Sequence, residues 1–251
     1  MLKRAMLGAL VAGVVGAPVP ALAHDKLPDI RMARVSEMKI ETVNGRRLLK
    51  YTAVIVNVGV GRFEARGSRT TGSSRMTVRQ RIYDTHGGYR HVSLPSSQTF
   101  MVYAPSEPYY GGDGHNHWHL NDLESGTLSR LDNGAKVGTL AKHGFCVYDN
   151  TRFRLSLPGA PSDPYYTWCG NADSTSVRMG LSVGWGDTYR YTRANQWFDI
   201  TGLANGRYRL RTSAETVARG FIESDTTNNY TYTDISISNS SISVLSYGPS
   251  A

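Results

Sequence analysis

The sequence predicts an all-β fold with sandwich-like antiparallel sheets, long functional loops and little helix. Three observations support this fold class. Short segments rich in β-branched and aromatic residues recur along the chain. Clusters of Gly, Asn, Asp and Ser separate these segments. After the amino-terminal region, no window of about a dozen residues keeps its apolar positions at helical spacing.

The amino-terminal residues 1–23 are expected to form a secretory signal peptide. Lys3 and Arg4 precede an apolar run, and Ala21-Leu22-Ala23 provides the small residues of a cleavage site. The run is too short and too rich in Gly and Ala to be favoured as a membrane span, and no later segment reaches the roughly 18 apolar residues required. We therefore expect a secreted protein with no transmembrane segment.

The chain is basic, with 28 Lys and Arg against 20 Asp and Glu and a net charge of +8. Loss of the signal peptide would lower this charge to +6, because Lys3 and Arg4 are removed. The basic residues are scattered rather than grouped in runs, and no basic stripe is interleaved with stacking aromatic residues. Nucleic-acid binding is therefore not expected, whereas acidic envelope polymers are candidate partners.

Two segments give strong strand signals. Residues 47–58 are rich in β-branched residues and end at Gly59. Residues 75–83 alternate between apolar residues and arginines or threonine, and Gln80 is the one break in this alternation. The second segment is therefore predicted to be half-buried, with its arginines facing solvent.

Three further strands are predicted at residues 99–102, 126–131 and 230–237. Asn205-Gly206 lies between residues 198–200 and 208–211, and this dipeptide between apolar segments predicts a β-hairpin.

The connections include two long loops at residues 103–114 and 157–176, and loops of this length within a compact domain are usually functional. No internal repeat and no break in composition is visible. We expect one domain at residues 24–245, followed by a flexible tail at residues 246–251.

The chain contains two cysteines, Cys146 and Cys169. An even number of cysteines in a secreted protein indicates a disulfide, and their spacing suits one bond. Closing this loop is worth roughly 3 kcal/mol in the chain-entropy treatment.

Three histidines, His115, His117 and His119, occupy alternate positions. On a straight strand the outer two would lie roughly 13 Å apart, so one metal ion requires a bent backbone, for which Asp113-Gly114 offers the bend. Imidazoles without nearby thiolates suit copper or zinc, and three of them leave an open coordination position. A solvated histidine cluster and a structural zinc site are the alternatives.

Several sequence blocks occur in the order seen in the catalytic domain of lysyl oxidases. These blocks are Asp113 to Asp122, Lys142 to Cys146, Gly186 to Tyr189, Gln196 to Thr201 and Glu223 to Asn229. Upstream, Leu27 to Ile30 and Arg47 to Tyr51 are similar to the start of that domain. The chain therefore resembles a bacterial-type secreted lysyl oxidase-like protein over nearly all of its expected domain.

The resemblance implies that His115, His117 and His119 bind copper. It also implies that Lys142 and Tyr189 are joined into lysine tyrosylquinone, the covalent cofactor of the family. The implied activity is the oxidative deamination of primary amines, with peptidyl lysine as a candidate substrate, to aldehydes. Oxygen is consumed, and hydrogen peroxide and ammonia are released.

A calcium site is also implied by the resemblance. Its ligands would be Asp29, the backbone carbonyl of Ile30, Glu223, Asp225, Asn228 and Asn229. Carboxylate and amide oxygens are the hard donors that calcium selects. Such a site would tie the start of the domain to its last strands.

The sequence leaves the proton-abstracting base open between Asp187, two residues before Tyr189, and His143, next to Lys142. Trp118 and Trp185 are expected to pack in the core. The chain departs from animal lysyl oxidases in its cysteine number and in the residues just before the histidine cluster.

Two other functions remain as alternatives. The first is a non-catalytic copper- or calcium-binding protein of the cell envelope or matrix with the same fold. The second is a copper polysaccharide monooxygenase, because cleavage after Ala23 would make His24 the amino terminus. The second alternative leaves the Lys142 and Tyr189 blocks unexplained.

Overall fold

The computed structural model describes residues 21–106, 110 and 115–251. These residues contain nineteen β-strands and no α-helix, and the strands form three antiparallel sheets, which confirms the predicted fold class. Within the same residues, no helix is long and apolar enough to cross a membrane. Residues 1–20 of the expected signal peptide lie outside this description.

In chain order, the strands are β1 (Asp25–Lys26), β2 (Ile30–Met32), β3 (Ser36–Val43), β4 (Arg46–Asn57), β5 (Phe63–Ser68), β6 (Arg75–Asp84), β7 (Tyr89–Ser93), β8 (Phe100–Val102), β9 (His119–Asn121), β10 (Glu124–Arg130), β11 (Lys136–Thr139), β12 (Gly144–Phe145), β13 (Thr151–Arg152), β14 (Ser176–Leu181), β15 (Trp185–Tyr189), β16 (Trp197–Asp199), β17 (Gly206–Ala214), β18 (Tyr230–Ser238) and β19 (Ser241–Tyr247).

The largest sheet has eight strands in the order β12-β9-β8-β6-β5-β14, with β1 and β7 also paired to β6. The second sheet has the order β13-β15-β4-β16, with β2 and β3 also paired to β4. The third has the order β11-β10-β17-β18-β19. Apolar side chains from all three sheets form one hydrophobic core, whose burial stabilises the fold.

The alternation predicted for β6 is confirmed. Met76, Val78 and Ile82 are buried, and the arginines between them face outward. Gln80 also faces the core, where its side-chain amide donates to the carbonyl oxygen of Ile222 and accepts from its N–H, both at 2.7 Å. The polar residue therefore keeps the strand's register because its hydrogen bonds are satisfied.

The hairpin predicted at Asn205-Gly206 is wrong. Strand β16 pairs with β4, whereas β17 begins at Gly206 and pairs with β10 and β18. Phe198 of β16 is fully buried and its ring stacks on Tyr51 of β4, with 5.4 Å between the ring centroids. Non-local packing of this aromatic pair outweighs the local turn preference.

The expected disulfide between Cys146 and Cys169 is present, with 5.8 Å between the two Cα atoms. It links the segment after β12 to the long connection before β14. The backbone N–H of Trp118 donates to the carbonyl oxygen of Cys169 at 2.9 Å, so this connection also contacts the start of β9. The disulfide therefore fixes loop residues beside the histidine cluster.

Candidate functional site

The three histidines lie where the backbone enters β9 rather than along a straight strand. Only His119 belongs to β9, and His115 and His117 precede it. One nitrogen from each ring lies within 4.8 Å of the others, and the ring centroids are 4.6 to 6.0 Å apart. The backbone therefore has the bend that one shared metal ion requires. The bend expected at Asp113-Gly114 lies outside the described residues.

Trp118 anchors this segment to the core. Its side chain is fully buried, and its indole N–H donates to the carbonyl oxygen of Asn171 at 2.8 Å. The rings of its chain neighbours His117 and His119 have centroids 4.6 Å apart, and alternation along an extended backbone places this pair on the side opposite Trp118. Trp185 is also buried, and its indole N–H donates to the carbonyl oxygen of Pro161 at 2.9 Å. Both tryptophans thus have the packing role expected of them.

The donor set fits copper. His119 is 1% exposed, and among the described residues its Nδ1 atom has no hydrogen-bond partner. Burial is the main cause that lowers the pKa of His119 far below its usual value, and the positive charge of Lys142 adds to it, so this imidazole is neutral at pH 7. Neutral imidazole is the form that binds metal ions, and three nitrogen donors suit copper or zinc.

A cavity of about 230 Å³ connects the histidines to side chains from other strands. Its wall includes His115, His117, His119, Lys142, Asp187 and Tyr189. Tyr189 ends β15, which pairs with β4, whereas Lys142 precedes β12 at the edge of the eight-stranded sheet. The cavity thus lies where two sheets meet.

Lys142 and Tyr189 face each other within this cavity. Both are buried, and the Lys142 Nζ atom lies 5.5 Å from the centroid of the Tyr189 ring. Phe145 packs edge-on against Tyr189, with 5.1 Å between ring centroids. The distance from Lys142 Nζ to the ring centroid is longer than the roughly 3–3.5 Å of a reactive contact, so a bond between the two side chains requires Lys142 to move toward the ring.

Asp187 holds the hydroxyl group of Tyr189. The Tyr189 hydroxyl donates to Asp187 Oδ2 at 2.5 Å, and the Asn150 side-chain amide donates to Oδ1 at 2.5 Å. Burial raises the pKa of Asp187 to about 7, although these hydrogen bonds favour its charged form. Burial and the nearby Asp187 also raise the pKa of Tyr189, so the phenol is neutral. Asp187 is therefore a proton acceptor suited to neutral pH.

His143, the other candidate base, lies elsewhere. Its Nδ1 atom is 2.5 Å from Asp122 Oδ1, and its ring lines a separate groove. The geometry favours Asp187, because Asp187 borders the same cavity as Tyr189.

Glu124 is a buried acid that the sequence reasoning missed. It is 2% exposed, the Tyr51 hydroxyl donates to its Oε1 atom at 3.4 Å, and its Oε2 atom has no partner among the described residues. Burial raises the pKa of Glu124 to about 8, and the positive charge of Lys142 opposes this shift. Glu124 and Lys142 border a groove of about 340 Å³ that includes His143 but none of the three clustered histidines. Lys142 therefore lies between Asp187 and Glu124.

Two sequence comparisons relate the chain to known proteins. A model of the lysyl oxidase family matches residues 96–246, which is more than half of the chain and includes every residue of the cavity. The chain belongs to the lysyl oxidase family. Protein-lysine 6-oxidase of Gallus gallus is 28% identical to it over 169 residues, which cover 65% of this chain and 37% of that protein. The match therefore spans little more than a third of this relative.

The calcium ligands implied by the lysyl oxidase resemblance lie in two segments that the structure brings together. The N–H of Ile30 donates to Glu223 Oε2 at 2.9 Å, and the N–H of Ser224 donates to the carbonyl oxygen of Pro28 at 2.9 Å. Asp29 forms an ion pair with Arg31 at 2.9 Å. Part of the acidic charge in this region is therefore already balanced.

The amide oxygens in this region fit a hard cation. Within the described chain, the Oδ1 atoms of Asn228 and Asn229 are buried and accept no hydrogen bond. Asn229 donates through Nδ2 to Glu223 Oε1 at 2.7 Å, and Asp225 accepts from the N–H of Thr227 at 2.9 Å. Among the described residues, the two amide oxygens thus remain available as ligands, whereas the carboxylates of Glu223 and Asp225 already accept protein hydrogen bonds.

His24, which the polysaccharide monooxygenase alternative requires, lies at the surface. Its ring packs edge-on against His86, with 4.7 Å between ring centroids. Neither residue borders the cavity that contains the three clustered histidines. This pair therefore takes no part in the arrangement of Lys142 and Tyr189.

Proposed function

We propose that this protein is a secreted copper-dependent amine oxidase that deaminates primary amines, with peptidyl lysine as its candidate substrate. Its cofactor would be lysine tyrosylquinone, made from Lys142 and Tyr189. The observation that carries this proposal is the 5.5 Å approach of Lys142 Nζ to the Tyr189 ring in a cavity bordered by three histidines. Residues 24–245 would form the secreted catalytic domain after removal of residues 1–23.

The three imidazoles would hold copper with an open position, and copper would supply the oxygen chemistry that converts the Tyr189 ring to an amine-oxidising quinone. The chain itself must keep the reacting groups in the correct protonation states. His119 meets this requirement because its burial keeps the imidazole neutral.

Lys142 must lose its ammonium proton before its nitrogen can bond to the ring. Two buried carboxyl groups flank the lysine, Asp187 in the cavity and Glu124 in the groove beyond it. Asp187, whose pKa is about 7, is substantially a carboxylate at neutral pH and would accept this proton, whereas Glu124, whose pKa is about 8, would accept it only at higher pH. Burial of Lys142 also favours the neutral amine.

Asp187 would act as the base that removes a proton from the carbon next to the substrate nitrogen. Its Oδ2 atom lies 2.5 Å from the Tyr189 oxygen, so the carboxylate is directed at the ring that would bind the substrate. Asn150 fixes the other carboxylate oxygen and thereby orients the base. A pKa of about 7 gives substantial carboxylate at neutral pH.

Copper-loaded full-length protein tests the proposal. We expect a visible quinone absorption band and a coloured adduct with phenylhydrazine in the wild-type protein. The Tyr189→Phe variant should show neither, because its ring lacks the oxygen from which the quinone develops. Full phenylhydrazine reactivity of Tyr189→Phe would overturn the proposal. Copper binding without any quinone in the wild-type protein would support the alternative, a non-catalytic metal-binding envelope or matrix protein.

We also propose that calcium binds between the segments at residues 28–31 and 223–229. The ligands would be Asp29, the Ile30 carbonyl, Glu223, Asp225, Asn228 and Asn229. The two buried amide oxygens without partners among the described residues support this site. Calcium would stabilise the contact between the two segments.

A further inference from the structure

The outer face of the eight-stranded sheet carries arginines in an unfavourable register. Arg66 of β5 lies directly opposite Arg178 of β14 on one side and Arg79 of β6 on the other. Like charges that are directly opposite on neighbouring strands destabilise a sheet. A row of three arginines across three strands therefore costs stability, which suggests that the row has a function that outweighs this cost.

Carboxylates neutralise this row only in part. The buried Glu64 pairs with Arg66 at 3.0 Å and with Arg81 at 3.5 Å. Arg79 and Arg178 are both exposed, and neither forms an ion pair with any described residue. Uncompensated positive charge thus remains at the middle and the edge of the sheet.

Exposed aromatic rings lie at one end of the row. Tyr165 and Trp168 are 38% and 59% exposed, and they line a groove of about 280 Å³ together with Arg66 and Arg178. The Arg178 guanidinium lies 4.7 Å from the centroid of the Tyr165 ring. The groove therefore combines flat apolar surfaces with adjacent guanidinium groups.

We propose that this surface, the arginine face (Arg66, Arg79, Arg178, Tyr165 and Trp168), binds an anionic polysaccharide. Guanidinium groups bind sulfate and carboxylate groups through paired hydrogen bonds. The row repeats at the strand spacing of about 4.8 Å, so it can engage several acidic groups along one polymer. The exposed rings offer surfaces on which the apolar faces of sugar rings can pack.

The face is less suited to nucleic acid. Binding of single strands uses a succession of exposed rings, whereas the exposed rings of this face lie at one end of the row. The major groove of double-stranded DNA admits a helix or a two-stranded ribbon, whereas these arginines lie on three neighbouring strands of an eight-stranded sheet.

The disulfide connects this face to the cavity. Trp168 precedes Cys169, which is bonded to Cys146, and Cys146 borders the cavity. A bound polymer would therefore hold the protein with its candidate active site beside the polymer. Binding itself requires neither copper nor a quinone, so this inference stands apart from the proposed activity.

The test uses copper-free full-length protein and heparin, a sulfated polysaccharide, with polygalacturonate as a carboxylated probe. The triple variant Arg66→Gln, Arg79→Gln, Arg178→Gln should bind heparin at least tenfold more weakly than wild type. A matched triple variant, Lys136→Gln, Arg152→Gln, Arg207→Gln, removes the same charge elsewhere and should lose less than threefold. Equal losses in the two variants would overturn the proposal, because net charge alone would then explain binding.

Two further measurements separate the occupants. Trp168→Ala should weaken binding to both polysaccharides while leaving elution from a sulfopropyl resin unchanged. A single-stranded oligonucleotide of equal charge that binds more tightly than either polysaccharide would contradict the proposed ligand.

The repulsion between the arginines can be tested without ligand. The Arg79→Thr variant should have a higher Tm than wild type because cross-strand repulsion is relieved. An unchanged or lower Tm would show that the arginine row does not destabilise the sheet and would overturn this part of the argument.

Discussion

Two buried glutamates in this protein have opposite surroundings. Glu64, in the eight-stranded sheet, accepts hydrogen bonds from Tyr166 at 2.7 Å and Tyr83 at 2.8 Å and pairs with two arginines. Glu124 accepts one long hydrogen bond from Tyr51 at 3.4 Å, and its second oxygen forms no close hydrogen bond with a described residue, although the Gln196 side chain opposes in part the rise in pKa that burial causes. A saturated carboxylate stabilises the fold, whereas an incompletely bonded one is available for proton transfer.

Asp187 is the carboxylate for which we expect the largest effect on activity. Asp187→Asn keeps the shape of the side chain but removes the base, so amine oxidation should fall by roughly 10² to 10⁴-fold. Hydrogen peroxide release from a primary amine measures this loss. His143→Gln is the matched control and should stay within a few-fold of wild type.

The pH profile provides a second check on Asp187. The base acts as a carboxylate, and its pKa is about 7, so kcat/KM should rise with pH and level off above that value. Loss of activity in His143→Gln with retention in Asp187→Asn would assign the base to the histidine instead.

Glu64 should affect stability far more than catalysis. Glu64→Gln leaves two arginines and two tyrosine hydroxyls with a neutral partner, and breaking such buried pairs costs about 3–5 kcal/mol. Urea denaturation should show this loss, while activity per folded molecule stays unchanged. If Glu64→Gln left the free energy of unfolding unchanged, the structural role assigned to Glu64, in contrast to Glu124, would be wrong.

Glu124 should make stability depend on pH. Burial raises its pKa from 4.5 to about 8, so its contribution is complete below about pH 4.5 and is lost as pH rises through about 8. Copper-free wild-type protein should lose on the order of a few kcal/mol over this range. Glu124→Gln should flatten the dependence, and it should slow quinone formation only above about pH 8, where Glu124 is a carboxylate. If stability depended on pH with the same slope in Glu124→Gln as in wild type, groups other than Glu124 would be the cause.

The smallest effect is expected at the proposed calcium site, where Glu223 is already partly hydrogen-bonded. Calcium at about 100 times its Kd should stabilise the protein by roughly 2.7 kcal/mol. Thermal unfolding with and without calcium measures this effect. Asn228→Ala should abolish the calcium shift, and Ser224→Ala is a neighbouring control that should retain it. A shift that survives Asn228→Ala would place the ion elsewhere.

Local sequence patterns were sufficient to predict individual strands. Strands β4 and β6 begin and end within one or two residues of the bounds predicted from the β-branched run and from the alternation. The hairpin predicted from Asn205-Gly206 was wrong because Phe198 pairs with Leu49, on a strand distant in the chain. A turn motif carries no information about such non-local pairing. The disulfide was predicted because the chain has only two cysteines.

The site candidates came from residues that cluster in sequence or match a family pattern, and the structure brings the three histidines close together. Glu124 was missed because the predicted strand began at residue 126, which hid the inward direction of its side chain. The arginine face could not be predicted from the sequence, because Arg66, Arg79 and Arg178 are far apart in the chain. Only the pairing of β5 with β6 and β14 places them side by side.

The central claim is that Lys142 and Tyr189 become one covalent unit. Peptide mapping by mass spectrometry of protein folded with copper and oxygen tests it most directly, with copper-free protein and Lys142→Met as controls. We expect a peptide pair joined through Lys142 and Tyr189 only in the copper-treated wild-type protein. Recovery of both residues as unmodified, separate peptides after full copper loading would contradict the claim.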